Sequence, residues 1–485
     1  MMNIKRVVVG VLLCVLPWQS VFAAKPIELT LRDAILLAMR FNPNIQSADL
    51  QRVVDRINLE AAQWAFQVQY NVTGSATYAN GVTNGVGGES DTETIGPQAT
   101  LLTPIGTQLG VQLAPTWSHT AGQSRYFNPT LQLNLTQPLL RGSRPDVVLA
   151  PLHTAENQEM IARLTFKNNL MQSVTDVISA WLSLIQAQNS LKVQRLSLDN
   201  SLATLNQQKA FLHAGRIAPT DLVQFDATVA NQQLLLEQQD IAVGQQQRQL
   251  LITLGLNPDL PIHISNDLTL PGKTFPTLDE SIQTALKNNV QYRQAEMTLR
   301  QNEISVLTAE DNARWQLNLT ATRTFGGPGL SSSSGFNGLF NGSNDNLSVG
   351  LNLTVPIDNL SLKQAVVQAK IGLRQQKIAI EQAKRQLTSD VINTWNTVNS
   401  QKKQIDQART AVELARQSLK IAETKLKFGK VTPFEVSTLQ SNLTTQEITY
   451  INVKIGYVNN LARLDQMIGE TLDRWGLRLR SEDRI

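Results

Sequence analysis

Along most of the chain apolar residues recur at helical spacing, and in two places that period gives way to strict alternation. Leu31, Ala34, Ile35, Ala38 and Met39 share one helical face, which predicts an amphipathic helix over about 30–65, and a second is expected at 277–313. From Val68 onward the period is two. Val68, Tyr70, Val72, Ala76 and Tyr78 fall on one side and Gln69, Asn71, Thr73, Ser75 and Thr77 on the other, a strand with one oily and one wet face. Leu317, Leu319 and Ala321 repeat this against Asn318, Thr320 and Thr322. A second alternating run follows each: Leu131, Leu133 and Leu135 before Pro138, then Leu347, Val349, Leu351, Leu353 and Val355 before Pro356. The Gly-, Ser- and Asn-rich stretches Asn80–Gly96 and Gly326–Asn346 read as loops. Leu101–Trp117 alternates around Thr103-Pro104-Ile105-Gly106 and has the character of an extra hairpin in the first half only.

Each prolyl exit leads into the longest element. Residues 152–214 and 373–428 contain neither Gly nor Pro, and the first of these would form a rod of about 95 Å at helical rise. Leu170, Val174, Val177, Trp181, Leu184, Leu191, Leu198, Leu202 and Leu205 trace a coiled-coil seam, as do Val391, Trp395, Val398, Ile405, Val412 and Leu419. Both rods end in one turn: Ala214-Gly215-Arg216-Ile217-Ala218-Pro219-Thr220-Asp221 and Phe428-Gly429-Lys430-Val431-Thr432-Pro433-Phe434-Glu435. Gly gives a left-handed cap and Pro opens the returning helix, with a carboxylate near that helix's positive end. Helical hairpins result, returning over about 219–254 and 433–468.

The two halves are copies. Residues 31–73 superpose on 278–320 at a shift of 247, and 168–255 on 382–469 at a shift of 214, without gaps. So long a period marks a duplicated domain-sized unit rather than a solenoid. The expected division is a leader at 1–23, a first repeat at 24–260, a linker at 261–276, a second repeat at 277–470 and a tail at 471–485.

Composition sharpens this. Only 5% of residues are aromatic, and Gln, Asn, Ser, Leu and Ala dominate, which suits narrow helical seams rather than one compact core. Lys5 and Arg6, the apolar run Val7–Leu16 and Val21-Phe22-Ala23 form a secretory signal peptide. Its cleavage removes Cys14, the only cysteine, leaving no disulfide and no thiol nucleophile; lipidation at Cys14 is disfavoured by Leu13. The net charge of +4 argues for no nucleic-acid partner. No later segment reaches 18 consecutive apolar residues, so a membrane role requires a β-barrel. A few strands cannot close one alone, because an open edge is not tolerated in lipid; several chains must pool them. The alternative for the strands themselves is a periplasmic sandwich.

Catalytic chemistry is missing. His119, His153, His213 and His263 show no ligand spacing, Gly326-Gly327-Pro328-Gly329 precedes no helix, and no carboxylate pair has an acid/base partner. The sequence therefore predicts no enzyme, no cofactor and no metal.

The ordered duplication, with Ala38–Asn42 and Ala285–Asn289 opening the repeats and the two hairpin tips closing them, resembles the outer membrane efflux protein (TolC-like) family over essentially the whole mature chain. The resemblance implies a mainly helical, internally duplicated fold with some β. Long antiparallel hairpins would build a periplasmic α-barrel, and a few strands per chain would build a shared trimeric transmembrane β-barrel. It implies four strands per chain, near 67–80, 128–138, 315–325 and 346–356, with loops 81–96 and 326–345 outside the cell. It also implies a homotrimer in outer-membrane lipid, extending into the periplasm and served by a periplasmic adaptor and an inner-membrane pump. The function implied is a passive exit duct of a tripartite efflux pump or type I secretion system; the rival reading is a periplasmic coiled-coil scaffold without a pore. By the same resemblance Asp221 and Glu435 would line the periplasmic aperture, with Arg216 and Lys430 as basic partners, and Gly215, Pro219, Gly429 and Pro433 would form the adaptor-docking tips. Thr438 and Val431 depart from that pattern, standing where a second ring acid and a latch arginine are expected.

Overall fold

The computed structural model describes residues 27–477 apart from 84–85, 121–123, 216, 266–274, 327–334, 338 and 340–344. The leader at 1–23 with Cys14, most of 326–345 and the end of the tail therefore lie outside the described residues.

Each repeat opens on a helix pair, not on the single helix expected. Helix α1 (Leu31–Phe41) breaks at Asn42 before α2 (Pro43–Trp64). In the second copy α6 (Leu278–Asn288) breaks at Asn289 before α7 (Val290–Asn312). The break lies in the Ala-x-x-x-Asn motif itself. Asn42 adopts an extended backbone, its Oδ1 accepts from the Asn44 and Ile45 amides, and its Nδ2 donates 2.7 Å to the Thr253 carbonyl. Asn289 caps α7 in the same way and donates 3.0 Å to the Met467 carbonyl. Each asparagine thus ends one helix, starts the next and ties both to the far end of the returning helix. Thr30 and Thr277 begin α1 and α6 with matching capping boxes through Asp33 and Glu280.

The rods are α4 (Ala150–His213) and α8 (Leu360–Lys427), folding back as α5 (Pro219–Leu254) and α9 (Pro433–Met467). The equivalent bounds of α1 and α6 differ by the 247 read from the sequence, and the ends of α4 and α8 by 214. Helices α2 and α7 continue α5 and α9 end to end. Gly255, at φ +74°, lets the turn after α5 lie against the Phe41 carbonyl, and Gly469, at φ +78°, meets Asn288. Four helical rods therefore run side by side at either level: α2, α4, α7 and α8 above, α5, α4, α9 and α8 below.

Where α4 meets α1, α5, α9 and the short α10 (Thr471–Arg474), it is buried on nearly every side. Trp181 is fully buried there, with Val177, Ile178, Leu182, Leu184 and Ile185 around it. Elsewhere the rods meet through polar seams. Ser179 Oγ donates 2.7 Å to Asn459 Oδ1, and Gln186 Nε2 2.8 Å to Asn452 Oδ1. The high amide content thus serves the contact between the two hairpins.

A second fastening is ionic. Arg52 on α2 donates from Nη2 to Glu159 Oε1 on α4 at 2.7 Å, and Arg163 donates from Nε to the same carboxylate at 2.9 Å. The Arg52 and Glu159 side chains are only 3% and 5% exposed. Burial pushes the Glu159 carboxyl up, but the guanidiniums of Arg163 and Arg52 outweigh it and hold the group below the usual carboxylate range.

Six strands form one antiparallel sheet in the order β2-β3-β4-β5-β7-β8. They are β2 (Gln69–Thr83), β3 (Val86–Leu102), β4 (Gln108–Thr120), β5 (Tyr126–Pro138), β7 (Gln316–Gly326) and β8 (Asp345–Thr354). A separate parallel pair, β1 (Ile27–Leu29) with β6 (Ile262–Ile264), links the starts of the two repeats. One expectation is corrected and one open question is answered. The stretch 80–96 is not a loop, since β2 and β3 pair continuously from Gln69↔Thr100 to Thr83↔Val86. Leu101–Trp117, which the sequence left open, does add to the sheet: it contributes to β3 and β4, which pair with each other and with their neighbours and bring the strands of this sheet to six among the described residues, where the resemblance implied four. At the inner end of the sheet the buried Asp311 carboxylate accepts from the Gly142 amide at 2.7 Å, seating the exit of β5 on α7.

The glycines differ in what they permit, which yields an expected result. Gly255→Ala combines a left-handed backbone with a collision at the Phe41 carbonyl, so its cost should exceed the roughly 1–3 kcal/mol of backbone strain alone. Gly215→Ala, at φ +67° with open space around it, should cost only about 1–2 kcal/mol. Denaturant midpoints of the two variants rank them, and equal midpoints would contradict the end-to-end stacking of α2 on α5.

Candidate functional site

Register fixes which side chains share a face across the sheet, since paired residues project to the same side. On one face stand Tyr70 and Val72 of β2, Ile95 and Ala99 of β3, Leu109, Val111 and Leu113 of β4 and Leu131, Leu133 and Leu135 of β5. Leu317, Leu319 and Ala321 of β7 and Leu347, Val349, Leu351 and Leu353 of β8 continue it. The apolar band crosses all six strands, broken on β7 where Arg323 stands between Leu133 and Leu347. Its charged members, Glu89, Asp91, Glu93, Arg323 and Asp345, are confined to the end remote from the helices. There Arg125 pairs with Glu93 at 2.8 Å and Arg323 with Asp345 at 2.7 Å. Trp64, Tyr70 and Trp315, all exposed, mark the helical end of the band, and Tyr78 and Trp117 the far end. An apolar belt with aromatic margins is what a bilayer requires of a barrel's outer surface.

The opposite face is wet and neutral. Gln69, Asn71 and Thr73, then Thr94, Gln98 and Thr100, then Gln112 and Thr116 begin it. Asn134, Thr136, Thr320, Thr322, Ser348 and Asn352 complete it, and no position on it in any of the six strands holds a charged residue.

At the other extreme of the molecule lie the hairpin tips. Gly215 and Gly429 adopt φ +67° and +66°, and Pro219 and Pro433 open α5 and α9. Thr432 caps α9, its Oγ1 accepting from the Glu435 amide at 3.2 Å, so Glu435 occupies the third helical position, where a carboxylate favours the helix start. The Glu435 side chain and Lys430 are exposed. Asp221 belongs to the first turn of α5, but its side chain, like Arg216 altogether, lies outside the described residues. Val431 turns inward against the apolar cluster that holds Val436 and Ala422, and Thr438 returns its hydroxyl to the Phe434 carbonyl at 3.0 Å. Sequence reasoning missed the cleft of 770 Å³ between the two hairpins just above the tips, lined by Asn200, Gln207, Gln232, Glu423, Lys427 and Ser441. Its only advance signal was the polar character of those seam positions.

A profile of outer membrane efflux proteins matches residues 281–470, the second of the two repeats. That match ties the second repeat to the outer membrane efflux proteins. The first repeat lies outside that match and is related to the second by the duplication of the sequence. The fold is that of the outer-membrane channel OprN, at 14% identity and a TM-score of 0.70 over 91% of this chain and 90% of that one. Vibrio cholerae VceC, an outer membrane protein, is similar at 15% identity and a TM-score of 0.70 over 90% and 96% of the two chains. The Campylobacter jejuni CmeC outer membrane channel gives 13%, 0.67, 91% and 86%. No curated protein sequence matches the chain. The second repeat thus carries the sequence pattern of outer membrane efflux proteins, and most of the chain shares the fold of outer-membrane channels.

Proposed function

We propose that three copies of this chain form a passive duct, through which solutes or a secreted polypeptide handed over by an inner-membrane pump leave the cell. One observation carries the reading: the sheet has an apolar band on one face, a wholly uncharged opposite face, and two outer strands, β2 and β8, that end it without partners among the described residues. Both outer strands are exposed at most of their described positions, and adjacent copies would pair them, closing a cylinder with its oily side toward lipid and its wet side toward the lumen. The rods beneath continue that cylinder into a tube. The duct carries no energy of its own; the pump supplies it through a periplasmic adaptor seated at the tips around Gly215, Pro219, Gly429 and Pro433. Opening is a shift of the hairpins between two packings of the same seams.

Asp221 and Glu435, with Arg216 and Lys430 nearby, would gather at the aperture, three of each around one axis. A ring of carboxylates at a constriction favours cations. Planar-bilayer recordings of the full-length protein should therefore show a cation preference that falls toward unity in Glu435→Ala. Unchanged selectivity would restrict Glu435 to stabilising the start of α9. Native mass in detergent tests the assembly itself: a monomer that remains in buffer and leaves bilayers silent would exclude the duct.

A further inference from the structure

We propose that the outer-membrane barrel is eighteen-stranded and as wide as the helical tube beneath it, so that the duct keeps one bore to its mouth and admits polymers. The proposal rests on the trimeric reading above and adds to it the consequence of the β3–β4 hairpin.

The hairpin lies within the sheet, between β2 and β5, with its register unbroken into both. Its odd positions carry the apolar band (Ile95, Ala99 and Leu101, then Leu109, Val111 and Leu113), and its even positions carry the wet lining (Thr94, Gln98 and Thr100, then Gln112 and Thr116). Within the middle of β3 the apolar row is the more exposed and the wet row the less, as in the outward and inward faces of a curved wall. Each copy therefore supplies six wall strands, and three copies supply eighteen.

Circumference decides what that number does. Strands about 4.8 Å apart and tilted by about 40° each take roughly 6 Å of a barrel's perimeter. Six occupy about 38 Å of arc per chain and four only about 25 Å. The four rods, at helix spacings of about 9–10 Å, require about 36–40 Å. Six strands thus match the arc of the helices that carry them, whereas four would taper the wall by a third. Eighteen strands give a backbone diameter of about 36 Å, and twelve about 24 Å. With some 5 Å of side chain on each wall, the clear widths are about 26 Å and 14 Å. The neutral lining adds no charge filter, so girth alone would select at this level.

The test uses the full-length protein in which Cys14→Ser removes the native cysteine, reconstituted in lipid after its native mass has been read. Thr94→Cys and Gln112→Cys should react with a membrane-impermeant maleimide, and Ile95→Cys and Val111→Cys should lose that labelling. In planar bilayers, polyethylene glycol about 20 Å across, added on the extracellular side, should enter the mouth and lower the conductance, which a bore of about 14 Å would prevent. A trimer in which both faces of the hairpin label equally, or whose conductance ignores this polymer, would overturn the eighteen-stranded barrel while leaving the duct intact. A mass other than a trimer would instead remove the functional reading on which the proposal stands.

Discussion

Replacing Glu159 with Ala should lower the stability of the folded chain by about 3–5 kcal/mol, because it removes the buried carboxylate that the Arg52 and Arg163 guanidiniums share. Arg52 is 3% exposed, and its ion pair with Asp55 is longer, at 3.6 Å. The loss should appear as a lower denaturant midpoint for helical circular dichroism. Replacing the pair together, as Arg52→Met with Glu159→Leu, should recover most of it, since apolar residues of similar volume avoid the desolvation of both charges. The pH dependence has a definite sign. The folded Glu159 carboxyl titrates below its unfolded value, so its contribution is complete above the ordinary carboxylate range and is lost as pH falls through the lower, folded value. Wild type should weaken on strong acidification more than the double variant does. A double variant as unstable as Glu159→Ala would show that the site works by packing rather than by charge.

The two matched tryptophans should differ sharply. Trp181→Ala should cost about 3–5 kcal/mol, the range for deleting a fully buried aromatic side chain. Trp395, half-buried, stacks on Phe275 with ring centroids 5.5 Å apart, and its indole N–H donates 3.0 Å to the Pro276 carbonyl. The Trp181 N–H has no hydrogen-bond partner among the described residues. Phenylalanine at 395 should therefore lose about 1 kcal/mol of hydrogen bonding, whereas at 181 it removes an unsatisfied donor and leaves only a small cavity to offset that gain. Melting the three single variants separates these outcomes. Equal costs for Trp181→Phe and Trp395→Phe would mean that the two copies pack alike.

Much of this architecture is legible in the sequence because its periods are long. The duplication shifts reappear in the helix bounds, and the seam residues Leu170, Val174, Val177, Trp181 and Leu184 are all buried. The turn glycines take the left-handed backbone their spacing implied. Strand β3 escaped for a physical reason. Its outer third, Glu89 to Glu93, alternates charged with small polar side chains, because it rises beyond the apolar band, and a rule seeking oily residues finds none there. The break at Asn42 escaped because the apolar face runs on through it; only the asparagine side chain, bonding to residues 211 positions away, reveals the bend. Of the aperture, the placement of Glu435 and Lys430 near a tip was readable. Whether charges meet there depends on neighbouring copies, which periodicity within one chain does not encode.

The unpartnered margins of β2 and β8 also govern how the protein comes into being. A solitary copy would take two ribbons of unsatisfied peptide groups into hydrocarbon, at several kcal/mol for each group, so entering the bilayer and finding partners become a single event. Until that event the same ribbons are adhesive toward any extended polypeptide. For the trimer proposed above, biogenesis would then be a race between ring closure and misassociation, and its yield would depend on shielding newly exported copies until three meet.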